Sequence, residues 1–203
     1  MIVLRKLLTK IKAMCEVKEI YIHPKAIVET KEIGKRTRVW AFAHILEGAE
    51  IGENCNICDH TFIEGNVIVG NNVTIKCGVY LWSGLRVEDN VFIGPNATFT
   101  NDIRPRSKVY PPEFAETYIK KGASIGVNAT IICGVTIGAW AVVGGGSVVT
   151  KDVPDYALIY GVPAQIKSYI CECTQDLVFE GSKAKCECGK VYELQEKLVV
   201  RVK

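Results

Sequence analysis

The sequence carries little net charge of either sign: 25 Lys and Arg against 22 Asp and Glu leave a formal +3 over 203 residues. The basic residues are scattered, with no stripe along which a phosphate backbone could run, which argues against nucleic acid as a partner. A long apolar run is missing as well. The N-terminal stretch MIVLRKLLTKIKAMCEVKEI is broken by Arg5, Lys6, Lys10 and Lys12 and has no small-residue cleavage site, so neither a secretory leader nor a transmembrane segment is expected, and a cytoplasmic protein is. Within it Leu4, Leu7, Leu8 and Ile11 fall at helical spacing. This predicts an amphipathic helix over residues 1–19 that either packs on the rest of the protein or makes a weak membrane-surface contact. Nine cysteines in such a compartment read as free thiols or metal ligands rather than as a disulfide framework.

What the chain has in abundance is a six-residue period. Read in sixes from Ile27, the first slot holds Ile33, Val39, Ile45, Ile51, Ile57, Ile63, Val69, Ile75, Leu81, Val87, Ile93 and Phe99, and after an interruption Ile119, Ile125, Ile131, Ile137, Val143 and Val149. The fifth slot is mostly small, as at Ala43, Ala49, Cys55, Thr61, Ala123, Ala129 and Ser147, and glycine favours the second slot, as at Gly34, Gly52, Gly70, Gly94, Gly126, Gly138 and Gly144. An aliphatic residue, a small inward residue and a turn-permissive glycine per hexad predict short strands joined by tight corners, coiled into a parallel β-helix.

This pattern resembles the hexapeptide-repeat family over residues 21–154. The resemblance implies an all-β, left-handed parallel β-helix with three hexads per turn, assembled as a homotrimer with sites in the clefts between neighbours. The family consists mostly of acyltransferases that use acetyl-CoA or a related thioester. Closer stretches, VWAFAHILEGAEIGENCNICDH, LWSG, VEDNVFIGPNATFTNDIRPRS and KKGASIGVNATIICGVTIG, are similar to those of N-acetyltransferases acting on the 3-amino group of nucleotide-linked sugars, UDP or dTDP, for surface glycans such as lipopolysaccharide. On that division, residues 20–168 are the acetyltransferase domain and residues 169–203 a separate tail.

The interruption FTNDIRPRSKVYPP, within a predicted loop over 100–118, points to a use, because insertions into solenoids emerge on one face, often the binding face. Asn101 is the first candidate for a contact to the reacting amine, since an amide oxygen can accept from it and orient its lone pair. Coils of eighteen residues place Ser83 one rung below Asn101, and Gly65 below that. His60, at a corner slot, is the candidate general base ahead of His44, in the last slot of its hexad, the alternative for each being a hydrogen-bonded structural residue. Glu64, Trp82 and Asp102 are assigned to the acceptor cleft. Arg104 and Arg106 either pair with a diphosphate or carboxylate or keep the loop soluble. Relatives usually carry LWDG and FIEND where this chain has LWSG and FIEGN, and both departures fall on the face of Asn101. For the donor, Gly122, Ala123, Gly144 and Gly145 are expected to offer exposed backbone to pantetheine, with Lys151 and Lys167 near CoA phosphates. The resemblance puts Pro163 and Ala164, in YGVPAQIKS, near the adenine.

In the tail, CEC at 171–173 and CECG at 186–189 bring four thiols into two close pairs. Cys171, Cys173, Cys186 and Cys188 either surround a structural zinc or belong to a bare β-hairpin. Cys55 and Cys58 form a second CxxC by count, but Cys55 fills an inward slot and reads as core. Three rival functions stand beside the N-acetyltransferase. An O-acetyltransferase of the same fold would need a stronger base, and a zinc-capped scaffold would not be an enzyme. A γ-class carbonic anhydrase needs three imidazoles on one metal, and His23, His44 and His60 lack the paired spacing.

Overall fold

Most hexads fold as one two-residue strand and one corner, from Tyr21–Ile22 and Ile27–Val28 to Val148–Val149, with Leu85–Val87 and Thr117–Ile119 one residue longer. The computed structural model describes residues 19–196 and 198–203, so the expected N-terminal helix lies outside the described residues. Successive hexads step around three sheets of parallel strands, and every third returns in register on the one before. Val39 pairs with Ile57, Ile57 with Ile75, Ile75 with Ile93, Ile93 with Ile125 and Ile125 with Val143. The architecture is a left-handed parallel β-helix of stacked triangular coils, and no helix occurs among the described residues.

Both inward slots are filled as their side chains predict. Ile45, Ile57, Ile63, Ile75, Leu81 and Ile93 are fully buried, and so are Ala43, Ala49, Val67, Val73 and Val79 one strand-width before them. Stacked aliphatic ladders of this kind remove each large side chain from water at about 1.5–3 kcal/mol apiece. The polar inward residues Thr37 and Thr61 donate to the carbonyls of Gly52 and Cys58, at 2.7 and 2.8 Å, so the core tolerates their hydroxyls.

The corners correct one expectation. The turn-permissive backbone is in the fourth slot, where Asn54, Asn66, Asn72, Asn90, Asn96 and Asn128 have φ between 55° and 63°, the left-handed region that Asn tolerates best after glycine. Second-slot glycines are small for a different reason, the approach of the next coil. A Cβ on Gly52 would lie 2.5 Å from the Gly70 carbonyl oxygen, and one on Gly126 would lie 2.5 Å from the Gly145 nitrogen.

The interruption leaves the solenoid undisturbed. Thr98–Phe99 still stacks between Tyr80–Leu81 and Thr130–Ile131, and Thr117–Ile119 between Leu85–Val87 and Thr136–Ile137. Residues 100–116 leave from the corner between these two sheets, and the Ala115 N–H donates to the Asn101 carbonyl at 3.2 Å, closing the loop at its base. Beyond the last coil, Ala157–Gly161 extends the first sheet in parallel and pairs antiparallel with Ala164–Ile170, which pairs with Asp176–Leu177. Lys183–Lys185, Val191–Gln195 and Leu198–Arg201 make a separate antiparallel sheet. No helix among the described residues is long and apolar enough to cross a membrane.

Candidate active site

The outward residues of one sheet build an aromatic groove. His44, Phe62 and Tyr80 occupy the same slot on successive coils and stack up the face, with ring centroids 5.6 Å apart for His44 and Phe62 and 6.3 Å for Phe62 and Tyr80. Trp82 leans across both, at 5.5 Å from Phe62 and 6.1 Å from Tyr80. At the adjoining corner His60 lies flat on Phe42, with centroids 5.0 Å apart and planes 14° from parallel. Together with Thr61 these residues enclose about 370 Å³. Both corner residues hold the left-handed backbone, Phe42 at φ 59° and His60 at φ 58°. This is the fourth-slot corner that the other coils also make, as at Trp140 with φ 59°, and it turns both rings outward together.

The two histidines of the groove differ in their partners. His44 Nε2 sits 3.0 Å from Glu29 Oε1, and this hydrogen bond holds the Glu29 carboxyl below the usual carboxylate range. A ring nitrogen so paired fixes the orientation of the imidazole. His60 has the Phe42 ring and, among the described residues, no carboxylate partner.

Beside Trp82 the chain runs into the rung predicted from the sequence. The Ser83 hydroxyl donates to the Gly65 carbonyl at 2.7 Å, and Ser83 N–H donates to Glu64 Oε2 at 2.7 Å. Asn101 follows Thr98–Phe99 by two residues, one coil above Ser83, and its side chain is half-buried. Asp102 turns back on its own loop, accepting from Arg104 N–H at 2.8 Å. Arg104 and Arg106 are exposed, and Arg106 donates to the Pro105 carbonyl at 3.2 Å. The sequence therefore gathers Trp82, Ser83, Glu64 and Asn101 on one side of one face. The groove-forming Phe42, Phe62 and Tyr80 are not among the residues that the sequence pattern singles out. For Phe62 and Tyr80 the signal is in the sequence, as rings recurring with His44 at one slot eighteen residues apart, whereas Phe42 joins them from the corner.

Of the donor-side residues, Gly145, Lys151, Pro163 and Lys167 are exposed and Gly122, Gly144 and Ala164 half-buried. Lys167 Nζ lies 5.2 Å from the centre of the Tyr160 ring. Ala123 is a correction. It is fully buried in an inward slot, its N–H donates to Lys120 and its carbonyl accepts from Phe92, so it has no exposed backbone to offer. In the tail, the sulfurs of Cys171, Cys173, Cys186 and Cys188 all lie within 4.8 Å of one another, a set able to hold a metal ion. Cys55 is core, as its slot predicts.

A stacked β-helix whose outer face carries this groove defines a class, and comparison with known proteins agrees. Residues 30–65 and 66–101 match the family described as bacterial transferase hexapeptide (six repeats), and residues 119–151 match the hexapeptide repeat of succinyl-transferase. The chain belongs to the hexapeptide-repeat family, and within it to the acetyltransferases. It is 60% identical over 179 residues to dTDP-3-amino-3,6-dideoxy-alpha-D-galactopyranose 3-N-acetyltransferase of Aneurinibacillus thermoaerophilus, covering 88% of this chain and 93% of that protein. A galactoside O-acetyltransferase of Lactococcus lactis is 32% identical over 60% of this chain and 63% of its own length. In structure the chain is similar to the UDP-N-acetylglucosamine acyltransferase of Francisella novicida, with a TM-score of 0.53 at 16% identity, covering 76% of this chain and 69% of that one; this is a likeness of fold.

Proposed function

We propose that this enzyme transfers the acetyl group of acetyl-CoA to the 3-amino group of a dTDP-linked 3-amino-3,6-dideoxyhexose, a precursor of surface glycans such as lipopolysaccharide. The observation that carries the reading is the 60% identity, along nearly the whole of both chains, to an enzyme named for that reaction. The site's chemistry supports it. A neutral amine is already nucleophilic, so its attack on a thioester carbonyl needs two reactants held in line more than it needs a strong base. Such positioning supplies on the order of 7–11 kcal/mol in well-oriented reactions. The aromatic groove offers flat apolar walls to a base or a deoxy-sugar face. Asn101, one rung above Ser83, is assigned to the amine, with its amide oxygen accepting the N–H and orienting the lone pair. Arg104 and Arg106 on the loop are assigned to the diphosphate. Where the departing proton is taken by the protein, the carboxylate behind His44 makes it the better-oriented base than His60.

Acetyl-CoA is assigned to the later coils, along Gly144 and Gly145 toward Pro163, Ala164 and Lys167. The active assembly is read as a homotrimer whose neighbouring faces complete the clefts. The cytoplasm suits it, because Cys55, Cys58, Cys77 and Cys133 are free thiols, as in a reducing compartment. One structural zinc at the four thiols of the tail completes the reading. The test is a thiol-release assay with acetyl-CoA and the dTDP-linked and UDP-linked 3-amino sugars in parallel. Turnover with the dTDP-linked amine, and much less with the 3-hydroxy analogue, is the expected result; faster acetylation of the hydroxyl would place the enzyme with the O-acetyltransferases.

A further inference from the structure

The two cysteine pairs of the tail sit on turns that are copies of each other. In the first, the Thr174 N–H donates to the Cys171 carbonyl and the Cys171 N–H to the Gln175 carbonyl, both at 2.8 Å. In the second, the Gly189 N–H donates to the Cys186 carbonyl and the Cys186 N–H to the Lys190 carbonyl, both at 2.9 Å. The residue after each second cysteine takes the left-handed backbone, Thr174 at φ 74° and Gly189 at φ 90°. Facing each other, these turns bring Cys171 and Cys188 sulfurs to 3.6 Å and Cys173 and Cys186 sulfurs to 3.4 Å. A tetrahedron of thiolates about 2.3 Å from zinc has edges of about 3.8 Å, which lies inside the span from these distances to the 4.8 Å limit of the set. The fully buried Tyr192 hydroxyl accepts from the Glu172 N–H at 3.3 Å and lies 3.1 Å from the Cys171 sulfur, where it would donate to a thiolate.

Glu172 lies between the first two cysteines, and its side chain is only 11% exposed. It pairs with Lys190 at 3.2 Å and Arg201 at 3.1 Å, and accepts from the Tyr156 hydroxyl at 3.4 Å. Tyr156 belongs to the last corner of the β-helix. Its N–H donates to Ala139 and its carbonyl accepts from Ile170 at 2.7 Å, the last residue of the strand Ala164–Ile170, while its ring meets Tyr192 edge-on at 5.1 Å. Lys190 and Arg201 also offset most of the negative charge that a dianionic zinc tetrathiolate and Glu172 would carry together.

Resting on the zinc reading above, we propose that the metal is a clamp. By fixing the Cys171–Cys173 turn it holds Glu172 and Tyr192 against Tyr156, and so locks the hairpin Ala157–Gly161/Ala164–Ile170 onto the last coil. Because that hairpin carries the residues assigned to the far end of CoA, the clamp links a tail metal to donor binding.

The experiment compares the full chain as purified, the chain stripped by a chelator under reducing conditions, the stripped chain given zinc back, and Glu172→Gln, by elemental analysis, residue-level hydrogen exchange and acetyl-CoA KM. The purified chain should hold about one zinc. Stripping should speed amide exchange over 164–170 at least tenfold and raise acetyl-CoA KM several-fold, with strands between 124 and 149 unchanged, and zinc should reverse both. Glu172→Gln should keep its zinc and still exchange faster over 164–170. Metal loss with unaltered exchange there would overturn the clamp while leaving the zinc site standing, and unaltered exchange in Glu172→Gln would overturn Glu172 as the link. A purified chain without metal, in which the four thiols titrate freely or as two disulfides and the tail is equally protected, would overturn the zinc reading and the clamp with it.

Discussion

A single half-buried amide is asked to do more here than either groove histidine. Asn101 stands one coil above a Ser83 that is itself tied to Gly65 and Glu64, so its neighbours below have no freedom to replace it. Asn101→Ala should lower kcat/KM for the amino sugar by roughly one to three orders of magnitude, with acetyl-CoA KM nearly unchanged, because what is lost is orientation of one reactant. His44→Ala should cost about tenfold and His60→Ala less, since only His44 is oriented by a carboxylate. Steady-state kinetics with both substrates varied gives the ranking. Near-wild-type turnover in Asn101→Ala with collapse in either histidine variant would move the enzyme toward hydroxyl acylation. At this scale the sequence singles out residues whose type carries its own chemistry, and the structure brings the four cysteines of the tail together. The sequence is silent on Glu29, an ordinary exposed acid until the coil above brings His44 to it.

Elements of two residues have no stability of their own, and each strand persists because a coil lies above and below it. That makes the second-slot glycines structural in a strict sense. Gly126→Ala would drive a methyl to 2.5 Å from the Gly145 nitrogen, so the two coils must part, at a cost of about 1–3 kcal/mol measured by chemical denaturation. The inserted loop should behave in the opposite way. Its ends are joined by the Ala115–Asn101 hydrogen bond and the flanking strands stack in unbroken register. Replacing residues 103–113 by a short Gly-Ser linker should therefore shift Tm by no more than about 2–4 °C, the worth of ~1 kcal/mol in a chain of this length, while turnover of the amino sugar falls at least tenfold. Loss of cooperative melting in that variant would mean the loop is part of the core.

On the scale of the whole molecule, the solenoid leaves a long outer face on which Phe42 and Tyr80 are half-exposed. An apolar groove of this depth on a flat sheet is open on one side, and a second copy of the chain is the wall that a homotrimer would supply. Multi-angle light scattering should give three times the 22.4 kDa chain mass at micromolar concentration. A monomer with full activity would show that one chain suffices for the site.

The period of six determined most of this protein. A repeat that long and regular points to a parallel β-helix, because it turns an aliphatic and a small side chain inward in nearly every hexad; three hexads to a turn is what the resemblance to the hexapeptide-repeat family implies. The β-helix, its inward residues and the place of the inserted loop could therefore be read from residues in order along the chain. Three things could not. The glycines of the second slot are needed by backbone one coil away, a contact with no trace in the local pattern. The aromatic groove joins residues from coils eighteen apart and from a neighbouring corner, so it exists only once the coils are stacked. The convergence of two CxC turns on one point, with Tyr192 and Glu172 behind them, depends on how the tail folds back on itself. Local periodicity governs which way each side chain faces, whereas only tertiary contact decides what it meets there.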